Sequence, residues 1–141
     1  MNKLRIKRFT EDAILPTRTH PTDAGLDLYS PIDATIQAFD FVKIDLGIGI
    51  ALFEGTVGLI FDRSSLGSKG IGHLAGVIDA NYRGSIQVIL TNAFDPGKYE
   101  IKRGDKIAQL IITAAYTPEV LEVEELETTD RGTKGFGSSG R

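Results

Sequence analysis

The sequence of 141 residues predicts an all-β domain that carries one short helix. Three observations indicate this class. Helical periodicity is nearly absent along the chain. Short stretches rich in β-branched and aromatic residues recur at a spacing of roughly 8–12 residues. Gly, Pro, Asp and Asn separate these stretches, as they do at turns. Such a series is typical of a β-sandwich, a barrel or a jelly roll.

Each candidate strand follows from its local pattern. Residues 43–46, for example, alternate charged and apolar side chains, as expected for a strand with one buried face. Residues 64–69 are the best place for a short helix, with Ser64 or Ser65 as its N-cap. The predicted strands are residues 4–9, 26–29, 35–38, 41–46, 48–52, 57–62, 74–78, 85–92, 99–101, 106–115 and 120–125.

Composition limits the classes of function. The chain is 41% hydrophobic and 25% charged, with a formal net charge of −3. This balance is ordinary for a globular domain and does not favour a nucleic-acid partner. The absence of cysteine excludes disulfides, a thiolate nucleophile and cysteine-ligated metals. No apolar run approaches the ~20 residues of a membrane span, and the N-terminal residues show no signal peptide. We expect no membrane partner and an intracellular, cytoplasmic location.

The end of the chain differs in character from the rest. Residues 128–141 contain one apolar side chain, Phe136, among Gly, Ser, Thr and charged residues. We therefore predict a folded domain over residues 1–127 and a flexible Gly/Ser-rich arm over residues 128–141. A disordered tail is the simplest interpretation of such a composition, but it gives no reason for the lone Phe.

Five short segments follow one another along the chain: AGLDLYS (24–30), DRSSLGSKG (62–70), GVIDANYRG (76–84), GDKIAQLI (104–111) and RGTKGFGSSG (131–140). In this order they resemble the five motifs of the trimeric dUTPase family. The resemblance implies a distorted jelly-roll-like β-barrel, assembled as a homotrimer whose subunits share active sites. It also implies hydrolysis of dUTP to dUMP and pyrophosphate, which limits uracil incorporation into DNA and supplies dUMP for dTMP synthesis.

Two aspartates are candidates for the reaction centre. Hydrolysis at the α-phosphorus needs a positioned water, a base and neutralised charge on the leaving pyrophosphate. Mg²⁺ carried on the triphosphate is the expected Lewis acid. The resemblance makes Asp79 the residue that activates the water, and Asp27 a residue that reaches Mg²⁺ through coordinated water. On the residues alone, a turn-forming role is the favoured interpretation of Asp79, and a solvent-facing strand position is the competing interpretation of Asp27.

A second group is expected to contact the phosphates. The resemblance assigns Arg63, Ser64, Ser65 and Gln109 to the triphosphate, and free N–H groups at a helix N-terminus suit an anion. A plain helix cap and an outward-facing strand amide are the competing interpretations. Relatives often carry Pro before the Arg, whereas this chain has Asp62, whose carboxylate must point away from the phosphates.

The third motif is expected to select the nucleoside. The resemblance places Tyr82 under the deoxyribose, where its ring leaves no room for a 2′-hydroxyl. A hairpin over residues 74–84, including Gly76, should present backbone N–H and C=O groups to uracil. His73 lies where some relatives carry Asn near the base.

In the arm, the resemblance makes Phe136 stack on uracil. It also makes Arg131, Gly137 and Ser138 close over the phosphates, on a backbone whose glycines permit an anion-binding nest.

Three other functions fit part of the sequence. A dCTP deaminase has a related fold and motif order but relies on a Glu at a position that is Ile89 here, and without it general acid–base chemistry at the ring lacks its agent. A non-catalytic nucleotide-binding module would not need Asp79. A β-rich structural protein would explain the strands but not the motifs.

Overall fold

The computed structural model describes residues 3–94, 96–129 and 132–133. It contains eleven strands and one helix. In chain order they are β1 Arg5–Arg8, β2 Leu26–Tyr29, β3 Ala34–Ile36, β4 Phe41–Asp45, β5 Ile48–Ala51, β6 Thr56–Phe61, α1 Ser64–Gly67, β7 Ile71–Leu74, β8 Val77–Ile78, β9 Gln87–Asn92, β10 Tyr99–Ile101 and β11 Lys106–Ala114.

All strand pairs are antiparallel and fall into four sheets. The largest has the order β2-β11-β6-β8, and the second has the order β4-β9-β7. Two-stranded sheets, β1-β5 and β10-β3, complete the set. The all-β class with one short helix is confirmed. Over the residues that the structure describes, the sheets remain open at their edges and no closed barrel forms.

The core is built almost wholly of Ile, Leu and Val from alternating strand positions. In β2, Leu26 and Leu28 are buried, which turns Asp27 and Tyr29 towards the opposite face. In β11 the pairing with β2 shifts register between Lys106 and Ala108. This irregularity places Gln109 directly opposite Asp27. The core therefore fixes which polar side chains meet on the outer face of this sheet.

Two predicted strands are wrong. Residues 120–125 form no strand in the described part of the chain, and Val120 and Leu121 are 100% and 82% exposed. Alternation of apolar residues is not enough here, because a strand needs an edge to pair with. The predicted strand 74–78 is instead two strands, β7 and β8. Ala75 and Gly76 interrupt it with positive φ values of 61° and 116°, which no strand residue adopts.

The helix is shorter than predicted and ends at Gly67. The expected cap at Ser64 or Ser65 is also wrong, because both residues lie inside the first turn and Arg63 occupies the N-cap position. Within the described residues there is no helix of the length and apolarity that crossing a membrane requires.

Candidate active site

Four of the predicted site residues line one cleft, which we call the β2 cleft. Its volume is about 320 Å³. Asp27 comes from β2, Arg63 and Ser64 from the junction of β6 with α1, and Gln109 from β11. These elements meet because β11 pairs with β2 on one side and β6 on the other. The remaining lining residues are Thr19, Asp23, Ala24 and Gly25.

The Asp27 carboxylate lies between two cations. Its Oδ2 is 2.7 Å from Nζ of Lys106, and its Oδ1 is 3.2 Å from Nε of Arg63. The Thr19 hydroxyl also donates to Oδ2 at 3.3 Å. Burial alone would raise the pKa of Asp27, but the hydrogen bond and charge of Lys106, together with the charge of Arg63, lower it below the ordinary value. Asp27 is therefore ionised at neutral pH.

Arg63 stands where β6 gives way to α1. Its backbone is extended (φ −89°, ψ 137°), and its carbonyl accepts the first helical hydrogen bonds from the N–H groups of Leu66 and Gly67. Its guanidinium donates to the Lys106 carbonyl at 3.4 Å in addition to pairing with Asp27. The cation is thus fixed against two strands at the rim of the β2 cleft.

Ser65 is separated from the other predicted phosphate ligands. It lines a neighbouring cleft of about 350 Å³, which shares only Arg63 with the β2 cleft. Lys69 and Lys106 also line that neighbouring cleft. The structure thus groups Ser64, but not Ser65, with Asp27.

Gln109 is held by a specific contact. Its side-chain amide donates to the Asp62 carbonyl at 2.8 Å, so the amide oxygen is directed away from that bond. A Cβ placed on Gly25 would lie 3.2 Å from both Cβ and Cδ of Gln109 and would overlap its Oε1. The Gln109 side chain occupies the space that any residue larger than glycine would need at position 25.

The Asp62 carboxylate turns towards β7, as the phosphate hypothesis requires. Its Oδ1 lies 2.7 Å from Nδ1 of His73. His73 packs edge-on against Phe61, with ring centroids 6.3 Å apart. The two residues that depart from the family pattern thus contact each other, and neither lines the β2 cleft.

A second cleft, which we call the β8 cleft, gathers the predicted nucleoside-binding residues. Gly76, Asp79 and Tyr82 line it, and its volume is about 220 Å³. The Gly76 carbonyl accepts the Ile60 N–H at 2.8 Å. A side chain on Gly76 would lie 3.0 Å from Ile60 Cβ, and the φ of 116° also demands glycine.

The backbone around the β8 cleft differs from the expected tight hairpin over residues 74–84. Strand β7 pairs with β9, and the connection between them is long. Within it, β8 leaves that sheet and pairs with β6. A turn follows, in which the Tyr82 N–H donates to the Asp79 carbonyl at 3.0 Å. The segment therefore bridges two sheets, and Asp79 stands at the point where it turns.

The two clefts have no lining residue in common. Within one chain, Asp79 and Tyr82 therefore line a different cleft from Arg63 and Gln109. Asp79 also lines a cleft of about 460 Å³ on its other flank, next to Glu54 and Asn81. The contacts of Thr19 and Lys106 with Asp27 were not predicted from the sequence. Thr19 lies outside every motif, and Lys106 resembles an ordinary cation at a strand end.

The predicted arm residues Arg131, Phe136, Gly137 and Ser138 lie outside the described residues. In the described part of the chain, no three His, Asp or Glu side chains group as metal ligands do. Asp27 and Asp23 are the carboxylates of the β2 cleft, and Asp27 already has two cationic partners. This donor set does not form a protein cage for Mg²⁺. It fits a Mg²⁺ whose remaining ligands are phosphate oxygens and water.

Comparison with known proteins identifies the family. The dUTPase family profile matches residues 11–140. The chain is 45% identical over 140 residues to the deoxyuridine 5′-triphosphate nucleotidohydrolase of Rhodococcus erythropolis, covering 97% of this chain and 85% of that protein. It is 47% identical to that of Arabidopsis thaliana, covering 96% and 82%.

Solved structures of dUTPases also resemble this chain. A mutant dUTPase of Staphylococcus bacteriophage 80alpha with dUpNHpp superposes with a TM-score of 0.93 at 32% identity and covers 100% of both chains. A D95N mutant of the dUTPase of S. aureus phage phi11, described with a structural Mg(II) ion, superposes with a TM-score of 0.83 at 31% identity, and the match covers 90% of this chain and 100% of that one. The chain belongs to the dUTPase family.

Proposed function

We propose that this protein is a dUTP diphosphatase, which hydrolyses dUTP to dUMP and pyrophosphate. The observation that carries the proposal is the grouping of Asp27, Arg63, Ser64 and Gln109 around the β2 cleft. A carboxylate, a guanidinium, a hydroxyl and an amide in one polar cleft are the groups that a metal-bound triphosphate needs. Relatives that are 45% and 47% identical to this chain are named for action on deoxyuridine triphosphate.

The β2 cleft binds the triphosphate. Arg63 supplies a permanent cation with a planar fork of donors for phosphate oxygens. Ser64 and Gln109 add neutral donors, and Gln109 is held in place by its bond to the Asp62 carbonyl. Ser65 contributes a further hydroxyl from the neighbouring cleft, which Arg63 also lines. The Asp62 carboxylate contacts His73 and does not line the β2 cleft.

The donor set of the β2 cleft fits a Mg²⁺ ion carried on the triphosphate. When bound, such an ion would withdraw charge from the phosphate oxygens. Asp27 would hold it through coordinated water, since Mg²⁺ keeps much of its hydration shell. The lowered pKa of Asp27 keeps the carboxylate charged for that role.

The β8 cleft binds the nucleoside. Backbone groups around Gly76 face the uracil edge, and cytosine there would leave buried polar groups unpaired. Tyr82 forms the wall under the deoxyribose. Asp79 orients and deprotonates the attacking water, the task of a general base.

We further propose that the active protein is a homotrimer in which one site combines residues of different subunits. The separation of the two clefts within one chain supports this, because a nucleotide must reach both sets of residues at once. The arm, residues 128–141, then closes over a site, with Phe136 on the base and Arg131, Gly137 and Ser138 on the phosphates.

A product assay tests the activity. The protein is incubated with Mg²⁺ and dUTP, dCTP or dTTP, and the products are resolved by chromatography. Pyrophosphate and dUMP from dUTP alone are expected. Ammonia from dCTP would instead establish a deaminase, and binding without turnover would establish a nucleotide-binding module.

A mixing experiment tests the shared site. Arg63→Ala removes the cation of the β2 cleft, and Asp79→Asn removes the base of the β8 cleft. If subunits share sites, the two inactive variants, unfolded and refolded together, recover part of the activity. Mixed assemblies that stay inactive would contradict sharing, and Asp79→Asn mixed with itself is the matched control.

A further inference from the structure

The Tyr82 ring occupies space that is available only because residue 84 is a glycine. Its hydroxyl donates to the Ser85 carbonyl at 3.0 Å, so the ring folds back along its own segment. A Cβ added to Gly84 would lie 2.6 Å from Cζ and 3.0 Å from Cε2 of Tyr82. Real Cβ atoms do not approach so closely. Any side chain at residue 84 would therefore push the ring away from its present place.

Ser85 is fastened to the turn between β4 and β5. Its hydroxyl donates a short hydrogen bond to Oδ1 of Asp45, the last residue of β4. The same carboxylate oxygen accepts the Gly47 N–H at 2.8 Å. The hydrogen bond from Ser85, with that from Gly47, holds the pKa of Asp45 below its usual value although burial opposes this. The acceptor is therefore charged at neutral pH.

The backbone next to Ser85 is secured as well. The Leu46 N–H donates to the Ile86 carbonyl at 2.9 Å, and the Ile86 N–H donates to the Ile48 carbonyl at 2.8 Å. Ile86 is 2% exposed. The support of the Tyr82 hydroxyl is thus tied to Leu46 and β5 through buried Ile86, and to the end of β4 through the charged carboxylate of Asp45.

We propose that Gly84, Ser85 and Asp45 are positioning residues that set the location of the Tyr82 ring and, through it, discrimination between deoxyribose and ribose. The inference rests on the proposed function of the β8 cleft, which Tyr82 and Ser85 both line. A 2′-hydroxyl is rejected only if the ring cannot retreat. Gly84 defines where the ring rests, and the chain from Asp45 through Ser85 keeps the accepting carbonyl in place.

Three substitutions test this in the full-length protein. Gly84→Ala fills the space of the ring, Ser85→Ala removes the hydrogen bond to Asp45, and Ser85→Thr keeps a hydroxyl as the matched control. The kcat and KM for dUTP and UTP are measured separately, together with the melting temperature. We expect the ratio of kcat/KM for dUTP over UTP to fall at least tenfold in Gly84→Ala and about threefold in Ser85→Ala. Ser85→Thr should retain the parent ratio.

The ratio separates positioning from mere stability, because a loss of folded protein lowers both activities equally and leaves their ratio unchanged. A ratio within twofold of the parent in both Gly84→Ala and Ser85→Ala would overturn the proposal. If Gly84→Ala does not fold, Ser85→Ala against Ser85→Thr decides it.

Calorimetric binding of dUMP and UMP measures the same selection without hydrolysis. A parent protein that binds dUMP selectively but cleaves no dUTP would contradict the proposed function and leave the positioning proposal standing. Equal loss of dUMP and UMP affinity in Gly84→Ala would contradict the positioning proposal alone.

Discussion

The β2 cleft and the β8 cleft are built in different ways. In the β2 cleft, Asp27 and Gln109 face each other across two paired strands, beyond the register shift in β11, and Arg63 is the N-cap residue of a helix. The β8 cleft is formed by a segment with two left-handed residues, Ala75 and Gly76, and a strand of two residues. Strand pairing fixes the positions of charged groups, whereas a segment with little strand pairing leaves N–H and C=O groups to contact a ligand. The first arrangement suits phosphates and the second suits a base edge.

The largest expected effect lies in the β8 cleft. Asp79→Asn is nearly isosteric but cannot take a proton from water, so turnover of dUTP should fall by roughly 10²–10⁴-fold. Binding of a non-hydrolysable dUTP analogue should stay close to that of the parent, because the β2 cleft is untouched. Single-turnover hydrolysis and calorimetry measure the two quantities. Near-normal turnover would remove Asp79 from the chemistry.

Deletion of residues 128–141 should affect both clefts through the loss of the arm. We expect hydrolysis to fall by about a hundredfold, near the upper end of what stacking one base on an aromatic ring is worth, about 1–3 kcal/mol. Melting temperature and assembly size should not change, since the arm contains a single apolar residue that a core could bury. Scanning calorimetry and light scattering supply these controls. Unchanged kinetics would show that the arm has no part in catalysis.

Gly25→Ala examines the β2 cleft alone. The new methyl group meets the Gln109 side chain, which must shift and break its bond to the Asp62 carbonyl. We expect the KM for dUTP to rise about tenfold, for a cost near 1–2 kcal/mol, while the dUTP/UTP ratio stays constant. Gly67→Ala is the matched control, because nothing lies within 4 Å of the added Cβ. A changed sugar preference in Gly25→Ala would show that the two clefts are not independent.

The smallest effect concerns stability against acid. The pKa of Asp27 is lowered in the folded protein, so its contribution is present above the unfolded-state pKa and is lost as the pH falls through the folded-state pKa. Asp27→Asn should therefore lower the free energy of unfolding by about 1 kcal/mol at neutral pH and flatten the decline on acidification. Urea unfolding of the substrate-free protein at several pH values tests this. Parallel curves for the two proteins would contradict it.

Much of the framework was predictable because strand patterning is a local property. The alternation in residues 43–46 and the apolar run before Arg63 placed β4, β6 and α1 close to where they lie. The failures have nonlocal causes. Residues 120–125 alternate like a strand, yet the described part of the chain offers them no edge. Residues 74–78 are apolar throughout, but pairing with two different sheets breaks them at Ala75.

In the candidate site, too, local features were predictable from the sequence and nonlocal contacts were not. Motifs identified Asp27, Arg63 and Gln109, and their convergence follows from the pairing of β11 with β2 and β6. The pairing of Asp62 with His73 joins residues eleven positions apart in sequence. Local sequence patterns do not indicate this contact. The distribution of the motif residues over two clefts likewise depends on how the strands pair.

The left-handed backbone of Ala75 has a consequence for heat resistance. An alanine in this conformation costs about 1–2 kcal/mol relative to a glycine or asparagine that adopts it readily. A lineage screened only for survival at high temperature would therefore accumulate replacements at residue 75 early. The same replacements would relieve strain in the backbone that shapes the β8 cleft. Residue 75 is therefore a position at which thermal robustness can rise without substitution of any side chain assigned to the substrate.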